Sequence, residues 1–388
     1  MARKFGKKNV IKVDPLAYNI GLIGESGIGK TTLTKEVCET LVGEDGYIIA
    51  NCGKEDGIDA IAGAIYEDIP DWDAFDEFTE DIIENKLTDY KDLKVIVWDT
   101  LDELINITEP EAIRLYNKEV RENPSKKDKK EAKTIKQAWG SYGGGEKYTL
   151  ELIMNRMWEL KRVGVAMFLV GHTKKRTMND PISGLDYDIL TTNMQHNYFN
   201  ALKTKLHILG VASIDREIIQ EKTGKKDFSG KDKIQGKVNN ETRKITFRDD
   251  NFNVDSKSRF SEIVDSIVFD SNEFIKAIED AIKIEHEKQD GAKSIEETKT
   301  LQETEKSKIV EKVATKKKAE IEQKNEAEER VNLIEKFKSL MVTIRSDSDK
   351  VKKITTKMKE LGLSAKELDS SDVNKIKELV EFLEVVAS

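Results

Sequence analysis

Short apolar runs alternate with longer amphipathic stretches through the first 270 residues of the chain. The runs are rich in β-branched residues and end at glycine or polar residues, which is typical of buried strands. They occupy residues 20–23, 46–52, 95–97, 163–170 and 206–214. Between them, apolar residues recur at helical spacing in residues 33–41, 59–86, 106–136 and 147–162. This alternation predicts an α/β fold with a mainly parallel sheet flanked by helices.

The pattern changes after this region. Residues 216–246 predict a hairpin with a tip rich in glycine and lysine. Glutamate and lysine dominate residues 285–330, where a solvated helix or weak coiled coil and a disordered segment are equal alternatives. Apolar residues at helical spacing return afterwards and predict a helical C-terminal extension. The predicted domains are an N-terminal arm (1–18), a core (19–284), a charged linker (285–330) and a small helical module (331–388).

Composition restricts the function classes. The chain has 388 residues and a net charge of −8, so any contact with nucleic acid must come from local basic loops. The cysteines, Cys38 and Cys52, lack a C-x-x-C partner, which indicates a reducing compartment. The basic N-terminus has no apolar targeting segment, and no run is long enough to span a bilayer. We therefore expect a soluble cytoplasmic protein without a membrane partner.

A glycine-rich segment connects the first predicted strand to the first predicted helix. It matches G-x-x-x-x-G-K-[ST], the pattern of a phosphate-binding loop, or P-loop. Glycines let consecutive backbone N–H groups face phosphate oxygens, and the positive end of the helix dipole points to the same place. Lys30 would reach the β- and γ-phosphates, and Thr31 would bind Mg²⁺. The predicted nucleotide-binding residues are Gly24, Glu25, Ser26, Gly27, Ile28, Gly29, Lys30, Thr31 and Thr32.

Acidic and polar residues follow the later predicted strands. Asp99 ends an apolar run and is predicted to hold Mg²⁺ together with the P-loop. Glu55 is the candidate base that orients water, with Asp56 as the alternative, and we expect its strand to lie beside the P-loop strand. His172 is predicted either to sense the γ-phosphate or to form a structural hydrogen bond. Ligands bind beyond the carboxyl ends of parallel strands, so these residues are expected to meet Lys30 there.

Five segments of the chain carry a resemblance to a known family. They read GESGIGKTT, NCGKEDG, VIVWDT, VGHTKKR and KSRF, in that order. Together they resemble the RecA-like ATPases, and specifically the phage-encoded AAA-type P-loop proteins that act as single-strand annealing or recombination ATPases. The resemblance covers roughly residues 19–269. The KSRF segment is also similar to the KNRF segment of the bacterial RadA recombination proteins.

The resemblance implies a RecA-like P-loop NTPase core that forms a homo-oligomer, a ring or filament with ATP between subunits. It implies that Lys257 and Arg259 reach the nucleotide of the neighbouring subunit. The family places an acidic residue after the second strand, and Glu55 matches that position. It also places a polar sensor residue before a DNA-binding loop, which His172 and residues 174–195 match. Residues 123–136 lie where such proteins often carry a second DNA loop.

The nucleotide is predicted to be ATP with Mg²⁺, because no N-K-x-D segment for guanine is present. The leading hypothesis is an ATP-binding and ATP-hydrolysing protein of phage-type DNA recombination, repair or replication. It would bind single-stranded DNA as an oligomer in the host cytoplasm. Lys174, Lys175 and Arg176 would contact DNA phosphates, or they are ordinary solvated loop charges.

The C-terminal module is predicted to recruit a single-strand-binding protein or another replication protein. The alternative hypothesis is an ATP-gated scaffold, similar to a helicase loader, that acts through this helical module. A small-molecule phosphotransferase is disfavoured, because the sequence shows no cluster of arginines for a substrate-closing lid.

Overall fold

A computed structural model describes most of the chain in ten segments. They are residues 9–53, 57–123, 130–140, 142–179, 183–226, 232–249, 255–289, 293–344, 347–364 and 368–387. The chain divides into two compact units, Met1–Val313 and Ala314–Ser388.

The strands are β1 Ile20–Gly24, β2 Tyr47–Cys52, β3 Tyr66–Ile69, β4 Val95–Asp99, β5 Ala166–Asn179, β6 Asp186–Thr192, β7 Ile208–Lys226, β8 Asp232–Thr246, β9 Lys257–Ser258 and β10 Ser266–Val268. The helices are α1 Lys30–Val42, α2 Trp72–Glu84, α3 Leu101–Glu122, α4 Gly144–Arg162, α5 His196–Lys203, α6 Ser271–Glu287, α7 Ile295–Ile344, α8 Ser348–Glu360 and α9 Val373–Ala387.

The first unit is built on a mixed, mostly parallel sheet with the order β10-β8-β7-β1-β5-β4-β2-β3. The strands from β7 to β3 in this order are parallel to one another, whereas β8 is antiparallel to both of its neighbours, β7 and β10. Every residue of β1 and β4 is buried, as expected for strands covered on both faces. The predicted α/β fold with flanking helices and a helical C-terminal region is therefore confirmed.

Apolar side chains from the sheet and the helices form the core of the first unit. On one face, Phe168 of β5 and Phe247, directly after β8, lie near Phe274 of α6, with ring centroids 6.0 and 5.7 Å away. On another, Phe75 of α2 lies 5.3 Å from Trp98 of β4. These residues are almost completely buried, which explains the apolar positions predicted in the strands and in α2.

Two long hairpins continue beyond the sheet on either side of β1. Strand β5 pairs with β6 from Thr173 to Asn179, and β7 pairs with β8 beyond Ala212. The second hairpin was predicted, although its tip at 227–231 lies outside the described residues. The first lies in residues 174–195, which the polar sequence predicts as a long loop. That prediction is wrong, because the exposed polar residues of the hairpin lack the apolar alternation that marks a half-buried strand.

Two further predictions are corrected. The helical reading of residues 59–86 missed β3, an edge strand in which only Ile69 is buried and which therefore leaves a weak apolar pattern. The glycine-rich sequence at residues 140–145 predicts a flexible hinge, but Gly144 and Gly145 begin α4. A Cβ atom at Gly145 would lie 2.0 Å from the carbonyl oxygen of Ile135. This glycine therefore permits a close backbone approach.

The second unit contains the end of α7 together with α8 and α9. Its own apolar core includes Ile334, Phe337, Ile354, Leu379 and Leu383. Gly362, with φ 67°, follows α8 and permits the left-handed turn that ends the helix. In the described residues, no helix is both long and apolar enough to cross a membrane.

Candidate functional site

The glycine-rich loop lies at the carboxyl edge of the sheet, where β1 ends at Gly24 and α1 begins at Lys30. Gly27 and Gly29 adopt φ angles of 74° and 102°, a left-handed region that favours glycine. Gly29 precedes the first turn of α1, and no described side chain caps that helix. The first backbone N–H groups of α1 are therefore placed to bind an anion.

Lys30 is 6% exposed and lies against the start of the loop. Its ammonium nitrogen donates hydrogen bonds to the carbonyl oxygens of Gly24 and Glu25, both at 3.1 Å. A mostly buried cation next to backbone N–H groups produces a strongly positive local field. The loop therefore suits a polyphosphate.

Thr31 and Asp99 meet across the carboxyl edge, although β5 separates β1 from β4 in the sheet. The Thr31 hydroxyl donates a 2.5 Å hydrogen bond to Asp99 Oδ2. Burial raises the pKa of Asp99, while the Thr31 hydrogen bond and the Lys30 charge act in the opposite direction. A hydroxyl and a carboxylate are ligands that Mg²⁺ accepts, and phosphate oxygens and water would complete its octahedron.

No group of three or more His, Cys, Asp or Glu side chains that could hold a metal ion occurs in the described residues. A hydroxyl and a carboxylate alone do not fill the octahedron of Mg²⁺, which in nucleotide sites takes further oxygens from phosphates and water.

His172 lies at the same level as the end of β1, because its backbone pairs in register with Gly24. Its backbone N–H donates to Asp102 Oδ2 at 2.8 Å, and its Nδ1 lies 3.5 Å from the same oxygen. Asp102, in the first turn of α3, was not predicted. Its position three residues after Asp99, on the helix that follows the acidic strand end, is the only signal that the sequence offers.

Several buried polar atoms at the carboxyl edge have no hydrogen-bond partner among the described residues. They are Thr100 Oγ1, Asp102 Oδ1, Thr173 Oγ1 and Ser213 Oγ. Buried polar groups are normally satisfied, so each such atom calls for a water or a ligand. Thr100 and Asp102 follow the end of β4. Thr173 and Ser213 lie within β5 and β7, each one residue beyond the residue that pairs with Gly24 at the end of β1, and a nucleotide bound to the P-loop would lie at this level.

Arg243 is a second residue that the sequence did not indicate. It belongs to β8 and donates from Nη1 to the carbonyl oxygen of Ile28 at 3.1 Å. The ring of Phe269 also approaches the loop, at 3.5 Å from the position of a Cβ atom built on Gly29. These residues are more than 200 positions from the P-loop in sequence, so no local pattern connects them to it.

Lys257 and Arg259 lie at the opposite, amino edge of the sheet, next to the start of β7. Lys257 Nζ donates to the carbonyl oxygen of Lys203. Arg259 Nη2 donates to the carbonyl oxygen of Thr204 at 2.7 Å. Burial lowers the pKa of Lys257, and the charge of Arg259 lowers it further. The structure does not bring either residue to the P-loop of its own chain, and their contact with a neighbouring subunit stays a prediction.

Glu55 and Asp56 lie outside the described residues. The strand that precedes them, β2, is separated from β1 by β5 and β4, so the expectation that it neighbours the P-loop strand is wrong. Its carboxyl end nevertheless lies at the same edge, because Asn51 pairs in register with Asp99. A described carboxylate, Glu103, lies next to Gly53 at the start of this loop.

The predicted DNA-contacting residues, Lys174, Lys175 and Arg176, are exposed on β5 in the first hairpin. Lys174 Nζ makes a long contact of 3.4 Å with the carbonyl oxygen of Asn193. On the paired strand, Tyr187 exposes 47% of its surface. The hairpin therefore presents three cations and an aromatic ring to solvent beside the P-loop.

The strand–loop–helix unit, the buried lysine and the Thr–Asp pair define a P-loop nucleotide-binding domain of the α/β type. A protein-family model that matches the chain confirms this class and specifies the family. It describes an AAA domain and matches residues 16–260, more than half of the chain, and the chain belongs to this family. No curated protein matches the chain. The first unit therefore contains an AAA-type P-loop ATPase domain.

Proposed function

We propose that the protein binds MgATP at the P-loop and hydrolyses it. The observation that carries the proposal is the 2.5 Å contact between Thr31 and Asp99 beside the buried ammonium of Lys30. Phosphoryl transfer to water needs charge neutralisation, a positioned metal and an oriented water, with little covalent chemistry from the protein. Lys30, Thr31 and Asp99 supply the first two requirements.

Water is oriented by Glu55 in this proposal, with Asp56 as the alternative, because the strand before them ends at the level of Asp99. His172 reports the γ-phosphate, and Asp102 orients it through the backbone N–H and Nδ1. A carboxylate next to Nδ1 favours the tautomer that carries its hydrogen on Nδ1. The other ring nitrogen, Nε2, then remains for the nucleotide.

We further propose that the protein couples ATP to single-stranded DNA in phage-type recombination, repair or replication, in the host cytoplasm. The cations Lys174, Lys175 and Arg176 support this, because they are exposed on a hairpin that begins at His172. Single strands are bound by local cations together with stacking aromatic rings, and Tyr187 lies on the same hairpin. Net charge need not be positive for such a local contact.

The protein acts as a homo-oligomer in this proposal, with Lys257 and Arg259 approaching the nucleotide of a neighbouring subunit. The amino-edge position of both residues supports this assignment, because it leaves their own P-loop out of reach.

The test is the rate of ATP hydrolysis with and without single-stranded DNA, together with DNA affinity at several salt concentrations. Removing Lys174 and Arg176 together should weaken DNA binding about tenfold. It should also lower the slope of log affinity against log salt concentration by about 1 to 2. The matched control removes the exposed Lys91 and Lys94, which lie at the amino edge. Equal losses in both variants, or no stimulation of wild type by DNA, would contradict the DNA proposal.

A second candidate is an ATP-gated scaffold that acts through the C-terminal helices. The observation that favours it is the separate apolar core of the second unit, which includes Phe337 and Leu379. In that case, nucleotide state controls capture of a replication protein by residues 314–388, and DNA leaves the rate of ATP hydrolysis unchanged. Pull-down of a single-strand-binding protein with and without these residues, in ATP and in ADP, distinguishes this candidate.

A further inference from the structure

Arg243 connects the β7–β8 hairpin to the P-loop. It lies near the end of β8, where it pairs with Ile214 of β7, just beyond the level at which β1 ends. Its Nη1 donates to the carbonyl oxygen of Ile28 and lies 4.0 Å from the position of a Cβ atom on Gly29. A guanidinium group from a distant part of the chain is thus held against the middle of the phosphate-binding loop.

The charge of Arg243 is not neutralised by neighbouring acids. The adjacent cations of the hairpin have partners, since Arg216 pairs with Glu241 at 3.1 Å and Lys244 with Asp215 at 3.2 Å. Within the part of the chain that the structure describes, Arg243 forms no ion pair. A guanidinium group has five N–H donors, and the Ile28 carbonyl oxygen uses one of them. The remaining donors suit an anion in the loop.

Arg243 reaches the loop from the side opposite to the metal-binding pair. Lys30, Thr31 and Asp99 lie towards β5 and β4, whereas Arg243 comes from β8, beyond β7. In a P-loop, the lysine reaches the β- and γ-phosphates, the threonine holds the metal, and the backbone N–H groups surround the α- and β-phosphates. A residue beside Ile28 and Gly29 is therefore nearest to the α- and β-phosphates.

The backbone of Arg243 is itself fixed near the loop. Its carbonyl oxygen accepts a 3.0 Å hydrogen bond from the N–H of Phe269, whose ring lies 3.5 Å from the position of a Cβ atom built on Gly29. A positioned arginine loses less side-chain freedom when it binds a phosphate, and its planar fork matches the phosphate oxygens.

We propose that Arg243 binds the α- and β-phosphates of the nucleotide held by the P-loop of the same chain. This inference rests on the proposed function, because it requires that the loop binds a nucleotide. It assigns Arg243 a role different from that of Arg259, which lies at the amino edge. It also implies that ADP and ATP depend on Arg243 to the same extent, since both carry these two phosphates.

The test measures binding of MgADP and of a non-hydrolysable ATP analogue by isothermal titration calorimetry. Arg243→Ala and Arg243→Gln should each weaken both nucleotides about tenfold or more, which corresponds to about 1.4 kcal/mol for each factor of ten. Arg243→Gln keeps an N–H donor for the Ile28 carbonyl oxygen and removes the charge. Arg216→Ala, on the same hairpin, is the matched control and should retain wild-type affinity within about twofold.

Each alternative outcome overturns the inference. If Arg243→Gln retains wild-type affinity, Arg243 only supports the loop through Ile28. If only the ATP analogue is weakened, Arg243 senses the γ-phosphate. Melting temperatures without nucleotide, expected to be unchanged for Arg243→Gln, separate lost binding from lost folding.

Lys30→Ala distinguishes this inference from the proposed function. If wild type binds nucleotide and Lys30→Ala does not, while the Arg243 variants bind normally, only the inference about Arg243 fails. If wild type binds neither nucleotide, the proposed function fails and the inference fails with it.

Discussion

The amino and carboxyl edges of the parallel sheet differ in how their polar groups are hydrogen-bonded. At the amino edge, polar groups are paired with one another, as in the 3.0 Å hydrogen bond from the Asn19 N–H to His207 Nδ1 and the 2.7 Å bond from Arg259 to Thr204. At the carboxyl edge, Asp102 Oδ1 and Ser213 Oγ are buried without a partner in the described chain. The polar groups named at the amino edge are thus satisfied within the chain, whereas these two atoms at the carboxyl edge are not.

A histidine at each edge illustrates the difference. His207 is held neutral, because burial and the nearby charges of Lys161, Arg259 and Lys257 lower its pKa to about 4. His172 lies beside Asp102 and at the level of Gly24, where a phosphate would lie. His207 therefore supports the fold, whereas His172 contacts the nucleotide in the function proposed above.

Glu55→Gln should have the largest effect, at the carboxyl edge. It removes the proposed base and keeps the size of the side chain, so hydrolysis should fall about 10²- to 10⁴-fold while MgATP affinity is unchanged. Steady-state turnover and calorimetric titration measure the two quantities. Asp56→Asn, made in parallel, tests the alternative base, and wild-type turnover in Glu55→Gln would move the base to another carboxylate.

Asp99→Asn should reduce turnover about 10²- to 10³-fold, because it removes the charge next to the metal but keeps an oxygen that accepts from Thr31. Burial raises the pKa of Asp99 in the folded chain above its value in the unfolded chain. Between these two pKa values the folded chain binds more protons than the unfolded chain, so the free energy of unfolding falls as pH rises. The variant should therefore be more stable than wild type at pH 7 without nucleotide.

Urea unfolding at pH 7 and turnover in excess Mg²⁺ measure these two effects in Asp99→Asn. The exposed Asp89→Asn serves as control. Wild-type turnover in Asp99→Asn would show that the carboxyl edge holds no catalytic metal.

Arg259→Ala tests the amino edge. If the residue reaches a neighbouring nucleotide, hydrolysis should fall roughly tenfold or more, while MgATP affinity in the same chain stays at the wild-type value. Mixing Arg259→Ala with Lys30→Ala should restore part of the activity, since some mixed interfaces then contain an intact site. If no mixture hydrolyses ATP faster than the separate proteins, Arg259 does not act on a neighbouring nucleotide. Its role is then structural, through its hydrogen bonds with Thr204 and Leu206.

His207→Gln should have the smallest effect. The folded pKa of His207 is about 4, below the unfolded value of 6.5, so the unfolded chain binds more protons between these values. Wild type should therefore lose stability as pH falls from 6.5 towards 4, by about 2 kcal/mol more than His207→Gln at pH 5. Denaturant unfolding at pH 7 and pH 5 measures this, with the exposed His196→Gln as control. Parallel pH dependences of wild type and His207→Gln would contradict it.

The parts of the site that the sequence predicted are those determined by neighbouring residues. The P-loop is a contiguous strand, loop and helix, and Asp99 and His172 each end an apolar run, so the carboxyl-edge rule brings them together. Arg243 and Asp102 could not be predicted in this way. Arg243 reaches Ile28 only because β8 returns antiparallel to β7 after a long hairpin, and Asp102 depends on the direction in which α3 leaves β4.

The same distinction holds for the fold. Buried parallel strands leave continuous apolar runs, and the α/β class follows from them. Strand β3 and the β5–β6 hairpin are held by backbone hydrogen bonds with mostly exposed side chains, so their hydrophobic pattern carries little information. The local hydrophobic pattern also carries no information about the order of strands in the sheet, which explains why β2 was wrongly placed beside β1.

The most direct test of the account is MgATP binding by wild type and Lys30→Ala, measured by calorimetric titration, with the exposed Lys147→Ala as matched control. The account predicts one nucleotide per chain for wild type and Lys147→Ala, and an affinity at least about 100-fold lower for Lys30→Ala, or about 2.7 kcal/mol. The three proteins should have similar melting temperatures without nucleotide. Wild-type affinity in Lys30→Ala would contradict the assignment of the carboxyl edge as the nucleotide site.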